Sequence, residues 1–98
     1  PIGLAPGLSA PMPFDPIRDL TPIAPTVFVP IGLAITQRGV NARTAAEFVE
    51  LMRARPGFYQ YGSSGVGSSG HIAAATFAIK VGAQAVHVPY RGGGQVFT

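Results

Sequence analysis

Residues 61–71 read Tyr61-Gly62-Ser63-Ser64-Gly65-Val66-Gly67-Ser68-Ser69-Gly70-His71, and few folds accommodate such a run. An aromatic, strand-like segment (Phe58-Tyr59-Gln60-Tyr61) enters it, and an apolar helical segment over 72–81 leaves it. Glycine lets a backbone turn sharply and approach a ligand closely, while serine hydroxyls cap helices and exchange hydrogen bonds. The first N–H groups of the following helix are unpaired and carry partial positive charge. A strand, a Gly/Ser loop and a helix N-terminus together form a cradle for an anion. The same residues would also serve as a plain strand-to-helix connection.

The flanking sequence sets the class. Residues 1–30 hold eight of the prolines, among them Pro16, Pro22, Pro25 and Pro30, which rules out a long helix there. Phe14-Asp15-Pro16-Ile17-Arg18-Asp19-Leu20 suits one short turn, with Asp15 as its cap and Pro16 at the first helical position. Residues 22–35 read as extended and apolar, divided into two strands near Pro30 because proline interrupts a ladder. Thr44-Ala45-Ala46-Glu47 is a capping box. It opens a helix predicted over 45–54, with Met52 as core filler, Glu50 and Arg53 one turn apart, and Pro56-Gly57 as the stop. A strand over 58–61, a helix over 72–81 ended by Gly82, a strand over 85–88 and a flexible loop over 89–94 follow. Strand, helix, strand, helix, strand with connections this short predicts a parallel α/β unit with flanking helices. Ligands in such sheets sit at the carboxyl ends of the strands, where both glycine loops emerge.

Composition narrows the function classes. Ninety-eight residues allow at most one domain or a piece of one, burying roughly 60% of the unfolded surface. At 47% hydrophobic and 11% charged, the chain is too apolar for disorder. The formal net charge of +3 comes from scattered residues with no basic run, which argues against nucleic acid as a partner. No carboxylate follows Glu50, so the C-terminal half suits an anionic ligand. Absent cysteine removes disulfides and thiolate chemistry, and two histidines far apart in sequence argue against a metal site. No apolar run approaches the ~20 residues of a membrane-spanning helix. No secretory signal is visible, and the chain reads as an internal piece of a longer protein.

Gly65-Val66-Gly67-Ser68-Ser69-Gly70 fits G-x-G-x-x-G between a strand and a helix, the dinucleotide pattern. That pattern wants an acid about 20 residues on, where this chain has His87-Val88-Pro89-Tyr90-Arg91. Arg91 could instead meet a 2′-phosphate, so an α/β enzyme domain binding a phosphorylated nucleotide stands as the alternative reading. No lysine follows the glycines as a P-loop requires, and neither Ser64 nor Ser69 sits in G-x-S-x-G. His71 falls in the first turn of a helix and either points a neutral ring into the site or packs. His87 suits sheet-facing packing, Tyr90 a pocket wall, and Arg91 either a solvated charge or a carboxylate anchor.

Four stretches resemble the substrate-binding proteins of tripartite tricarboxylate transporters, the Bug family. They are Phe14-Asp15-Pro16-Ile17-Arg18-Asp19-Leu20-Thr21-Pro22-Ile23, Ala54-Arg55-Pro56-Gly57, the run from Tyr61 to His71, and Val86-His87-Val88-Pro89-Tyr90-Arg91-Gly92-Gly93-Gly94. They fall in the family's order and spacing. The resemblance implies a fragment of a two-lobed periplasmic-binding-protein fold of type II. Residues 1–30 would be a strip of the first lobe with the crossing segment, and residues 31–98 a partial second lobe. It implies a periplasmic receptor, without catalysis or cofactor, that takes a small carboxylate and passes it to membrane permease subunits. By the same resemblance Ser63, Ser64, Gly65, Gly67, Ser68, Ser69 and His71 form one wall of the site, and Tyr90, Arg91, Gly92 and Gly93 another. Open strand edges, low charge and the missing lobe predict that an isolated copy self-associates.

Overall fold

The chain divides into two units, Pro1–Pro30 and Ile31–Thr98, and the computed structural model describes residues 12–97. In the first unit the expected turn forms around Asp15. Its carboxylate accepts from the Ile17 and Arg18 amides at 2.9 and 3.2 Å, and the Asp19 amide donates to its carbonyl at 2.7 Å. The two strands expected around Pro30 do not form. Residues 21–36 form no helix and join no ladder, and Ile23 and Phe28 are each 99% exposed. Extended backbone becomes a strand only when a partner supplies the opposing groups, and Pro22, Pro25 and Pro30 have no N–H to offer.

The second unit holds the regular structure: α1 (Ala45–Ala54), β1 (Gln60–Ser63), α2 (Ser69–Lys80), β2 (Val86–Pro89) and the short α3 (Gly93–Val96). It is an α/β arrangement in which β1 and β2 pair in parallel, Gln60 opposite Val86 through Ser63 opposite Pro89. α2 makes the crossover that parallel neighbours require. The sheet has two strands among the described residues, not the three or more the sequence predicts.

α1 begins and ends where expected. Thr44 is extended (φ −130°, ψ 159°) and its Oγ1 accepts from the Glu47 amide at 3.2 Å. The return half of the box is displaced by one residue: Glu47 Oε2 accepts from the Arg43 amide at 2.8 Å. Arg53 meets Glu50 at 3.5 Å on an exposed face, a pair worth little on its own. Its Nε also donates to the Val81 carbonyl at 2.7 Å, tying α1 to the last turn of α2. Among the described residues Met52, Ala42 and Ala78 are the buried apolar side chains, so the core they form is small. Phe48, Tyr59 and Phe58 meet edge to face beside it, and the Arg55 guanidinium lies 3.5 Å over the Phe58 ring.

Three boundaries move from their expected places. β1 starts two residues later than the aromatic run suggests and extends to Ser63, because the ladder with β2 rather than apolar content decides which residues pair. α2 starts at Ser69 rather than Ile72, since Ser68 is its cap and the Ser69-Gly70-His71 turn is already helical. The second glycine stretch is not all loop: Pro89 closes β2, and Gly93 and Gly94 begin α3. Gly82 follows the α2 C-cap at φ +68°, as expected.

Candidate functional site

β1 and β2 end side by side, so the segments leaving them start together: the Tyr90 amide donates to the Ser63 carbonyl at 2.9 Å. Between them Gly62 has no room for a side chain. A Cβ there would lie 2.8 Å from Val96 Cγ1 and 3.2 Å from the Tyr90 ring. The sequence-predicted residues on both segments are thus brought to the carboxyl end of the sheet, with Tyr90 packed over β1 and Arg91 exposed.

The Gly/Ser loop is bonded to itself at nearly every turn. Ser63 is 5% exposed, and its Oγ accepts from the Gly65 amide at 3.2 Å and donates to the Gly65 carbonyl at 3.1 Å. The Ser68 amide donates to the same carbonyl at 3.2 Å. Gly67 adopts φ +81°, a left-handed conformation that other residues reach only with strain. Its amide donates to Nδ1 of His71 at 3.0 Å. Ser68 Oγ accepts from the His71 amide at 3.2 Å, which makes Ser68 the N-cap and His71 the third residue of α2. The amides of Gly65, Gly67, Ser68 and His71 are therefore spent inside the loop. Those of Ser69 and Gly70, in the first turn, have no intrahelical partner. Ser64 and Ser69 are exposed.

A ring stack lies under this loop. The parallel register sets Tyr61 beside His87. Their rings stack at 5.1 Å, and the His87 ring stacks on that of His71 at 3.8 Å and 4°. His87 Nε2 lies 2.6 Å from Ser63 Oγ. The hydroxyl has one proton: when it goes to the Gly65 carbonyl, His87 supplies an N–H, and when it turns to His87, Nε2 accepts. Burial first, and then the neighbouring His71 ring, hold the His87 imidazole below the ordinary histidine value. Burial pushes the Tyr61 phenol up. Ser63 and His87 have the spacing of a nucleophile and its base. Here, however, the serine oxygen is buried and engaged with Gly65, and the pair braces the loop.

His87 is the residue that sequence reasoning left as packing. A strand–helix–strand crossover in the sequence signals that the two strands pair, but only the observed register sets 61 beside 87 and brings both histidines and Ser63 into one patch. On the other segment the Arg91 amide donates to Gln95 Oε1 at 3.1 Å. Gly92 precedes α3, and Gly93 is its first residue. Among the described residues no group of three or more His, Cys, Asp or Glu side chains could hold a metal ion, and no helix is long and apolar enough to cross a membrane.

The family model described as the tripartite tricarboxylate transporter family receptor matches residues 1–98. The chain belongs to this family. A UPF0065 protein of Bordetella pertussis is 33% identical over 92 residues, covering 94% of this chain and 28% of the relative. A UPF0065 protein from the gbd 5′ region of Cupriavidus necator is 32% identical over 79 residues, 81% of this chain and 24% of the relative. Protein BugT of B. pertussis is 26% identical over 94 residues, 96% of this chain and 28% of the relative. The chain therefore spans about a quarter of the length of the curated relatives it matches. No solved structure gives a significant match.

Proposed function

We propose that this chain is part of an extracytoplasmic solute receptor that captures a small organic carboxylate at the carboxyl ends of β1 and β2. The receptor then delivers it to the membrane subunits of a tripartite transporter. The family match along the whole chain carries this reading. The site supports it chemically. Exposed Ser64 and Ser69 hydroxyls and the uncommitted Ser69 and Gly70 amides surround the start of α2, where the helix dipole favours negative charge. The second wall runs from Tyr90 through Arg91 to Gly92 and Gly93, with Arg91 as the cation, and no carboxylate follows Glu50 to compete for either wall. Ser63, Gly65, Gly67, Ser68 and His71 hold the loop in shape. The remaining walls belong to the opposing, first lobe of a periplasmic-binding-protein fold.

Calorimetric titration of the intact protein with succinate, malate, glutarate and citrate tests the reading. Saturable binding of at least one acid at about micromolar concentration is expected. Flat titrations for every acid would overturn it, and saturable binding of a phosphorylated nicotinamide dinucleotide instead would favour the enzyme alternative.

A further inference from the structure

The two long helices of this chain start with the same device, built from different chemistry. In α1 the third helical residue, Glu47, reaches back to accept from the amide of Arg43, the residue before the cap. In α2 the third residue, His71, reaches back through Nδ1 to accept from the amide of Gly67, also the residue before the cap. A carboxyl group keeps an accepting oxygen whether or not it is protonated, whereas an imidazole nitrogen loses its accepting lone pair on protonation. Nδ1–H would then face the Gly67 N–H, donor against donor, and a positive charge would sit at a helix N-terminus.

We propose that His71 is a positioning residue that latches the Gly/Ser loop while its ring is neutral and releases it in mild acid. The proposal deepens the receptor reading and rests on it only for the consequence for ligand capture.

The His87 ring, from β2, lies 3.8 Å away face to face, so two protons cannot enter the pair independently. His87 itself favours the neutral form. From β1, Ser63 carries no charge and Tyr61, 6.5 Å from the His71 ring, is raised further above neutrality. α3 has no titratable side chain. No ion pair holds either histidine among the described residues. Because Nδ1 accepts from Gly67 only when it carries no proton, the latched loop binds fewer protons than the released one, so latching is favoured as pH rises and weakened as pH falls.

The test is amide hydrogen exchange with ring nitrogen NMR on the intact protein between pH 7.5 and 5. Protection at Gly67, corrected for intrinsic exchange, should fall by about tenfold or more as the His71 ring takes its proton, while Arg43 stays unchanged. His71→Gln, whose side-chain oxygen accepts at every pH, should make Gly67 protection independent of pH. Equal pH dependence in wild type and His71→Gln, or protection that ignores the ring's titration, would overturn the proposal. If succinate, malate, glutarate and citrate all fail to bind while Gly67 follows His71, the latch stands and the carboxylate reading fails.

Discussion

The two glycine-rich segments at the end of the sheet look alike in sequence and differ in how they are held. Residues 62–70 are fixed by side chains: Ser63 on both sides of Gly65, His71 on Gly67 and Ser68 on the first turn of α2. Residues 91–94 contain glycines and one arginine, and the bond from the Arg91 amide to Gln95 is their side-chain tie. The second segment winds into a one-turn helix with open space around Gly92, Gly93 and Gly94. Glycine alone confers freedom. Serine and histidine at the right spacing take it away again, leaving one segment braced by side chains and one held mainly by its backbone at the same sheet end.

The contrast can be broken at three points. Gly67→Val forces a β-branched residue into φ +81° and should destabilise the protein by about 2–3 kcal/mol in urea unfolding, with at least about tenfold weaker carboxylate binding. A loss below about 0.5 kcal/mol would mean the first loop yields as easily as the second. Ser68→Ala removes the α2 cap and should lower stability by about 1 kcal/mol, read from the same unfolding curves. Gly94→Ala should have the opposite sign. The residue is helical, its φ is not positive and nothing lies within 4 Å of the added Cβ, so a gain of about 0.5 kcal/mol in unfolding free energy is expected. A destabilised Gly94→Ala protein would show that the second segment is packed as tightly as the first.

What could be read in the sequence was whatever depends on residues three or four apart. Thr44 and Glu47, the stop at Pro56-Gly57, Met52 on the inner face and the turn at Asp15 are local, and all appear where the spacing puts them. The resemblance in four ordered motifs led to the family that the comparison shows. The strand ends were misplaced because apolar content is a poor guide to which residues find a ladder, and the apolar residues of 21–36 find none among those described. The role of each serine was equally hidden. The sequence offers four serines, each beside a glycine, without saying which face solvent, and only the fold turns Ser63 inward and leaves Ser64 and Ser69 out.

By itself the sequence determined α1 with its Thr44 cap, the body of α2 and the turn at Gly82, because those are settled within one turn of backbone. Tertiary structure decided the contacts between residues 24 and 26 positions apart: Ser63 on His87, and Tyr61 on the same ring. It also set His87 against His71, across the crossover from α2 to β2. Such pairs form only when the parallel register sets β2 beside β1, and that register is fixed by strand pairing and side-chain packing across the crossover, not by local preference.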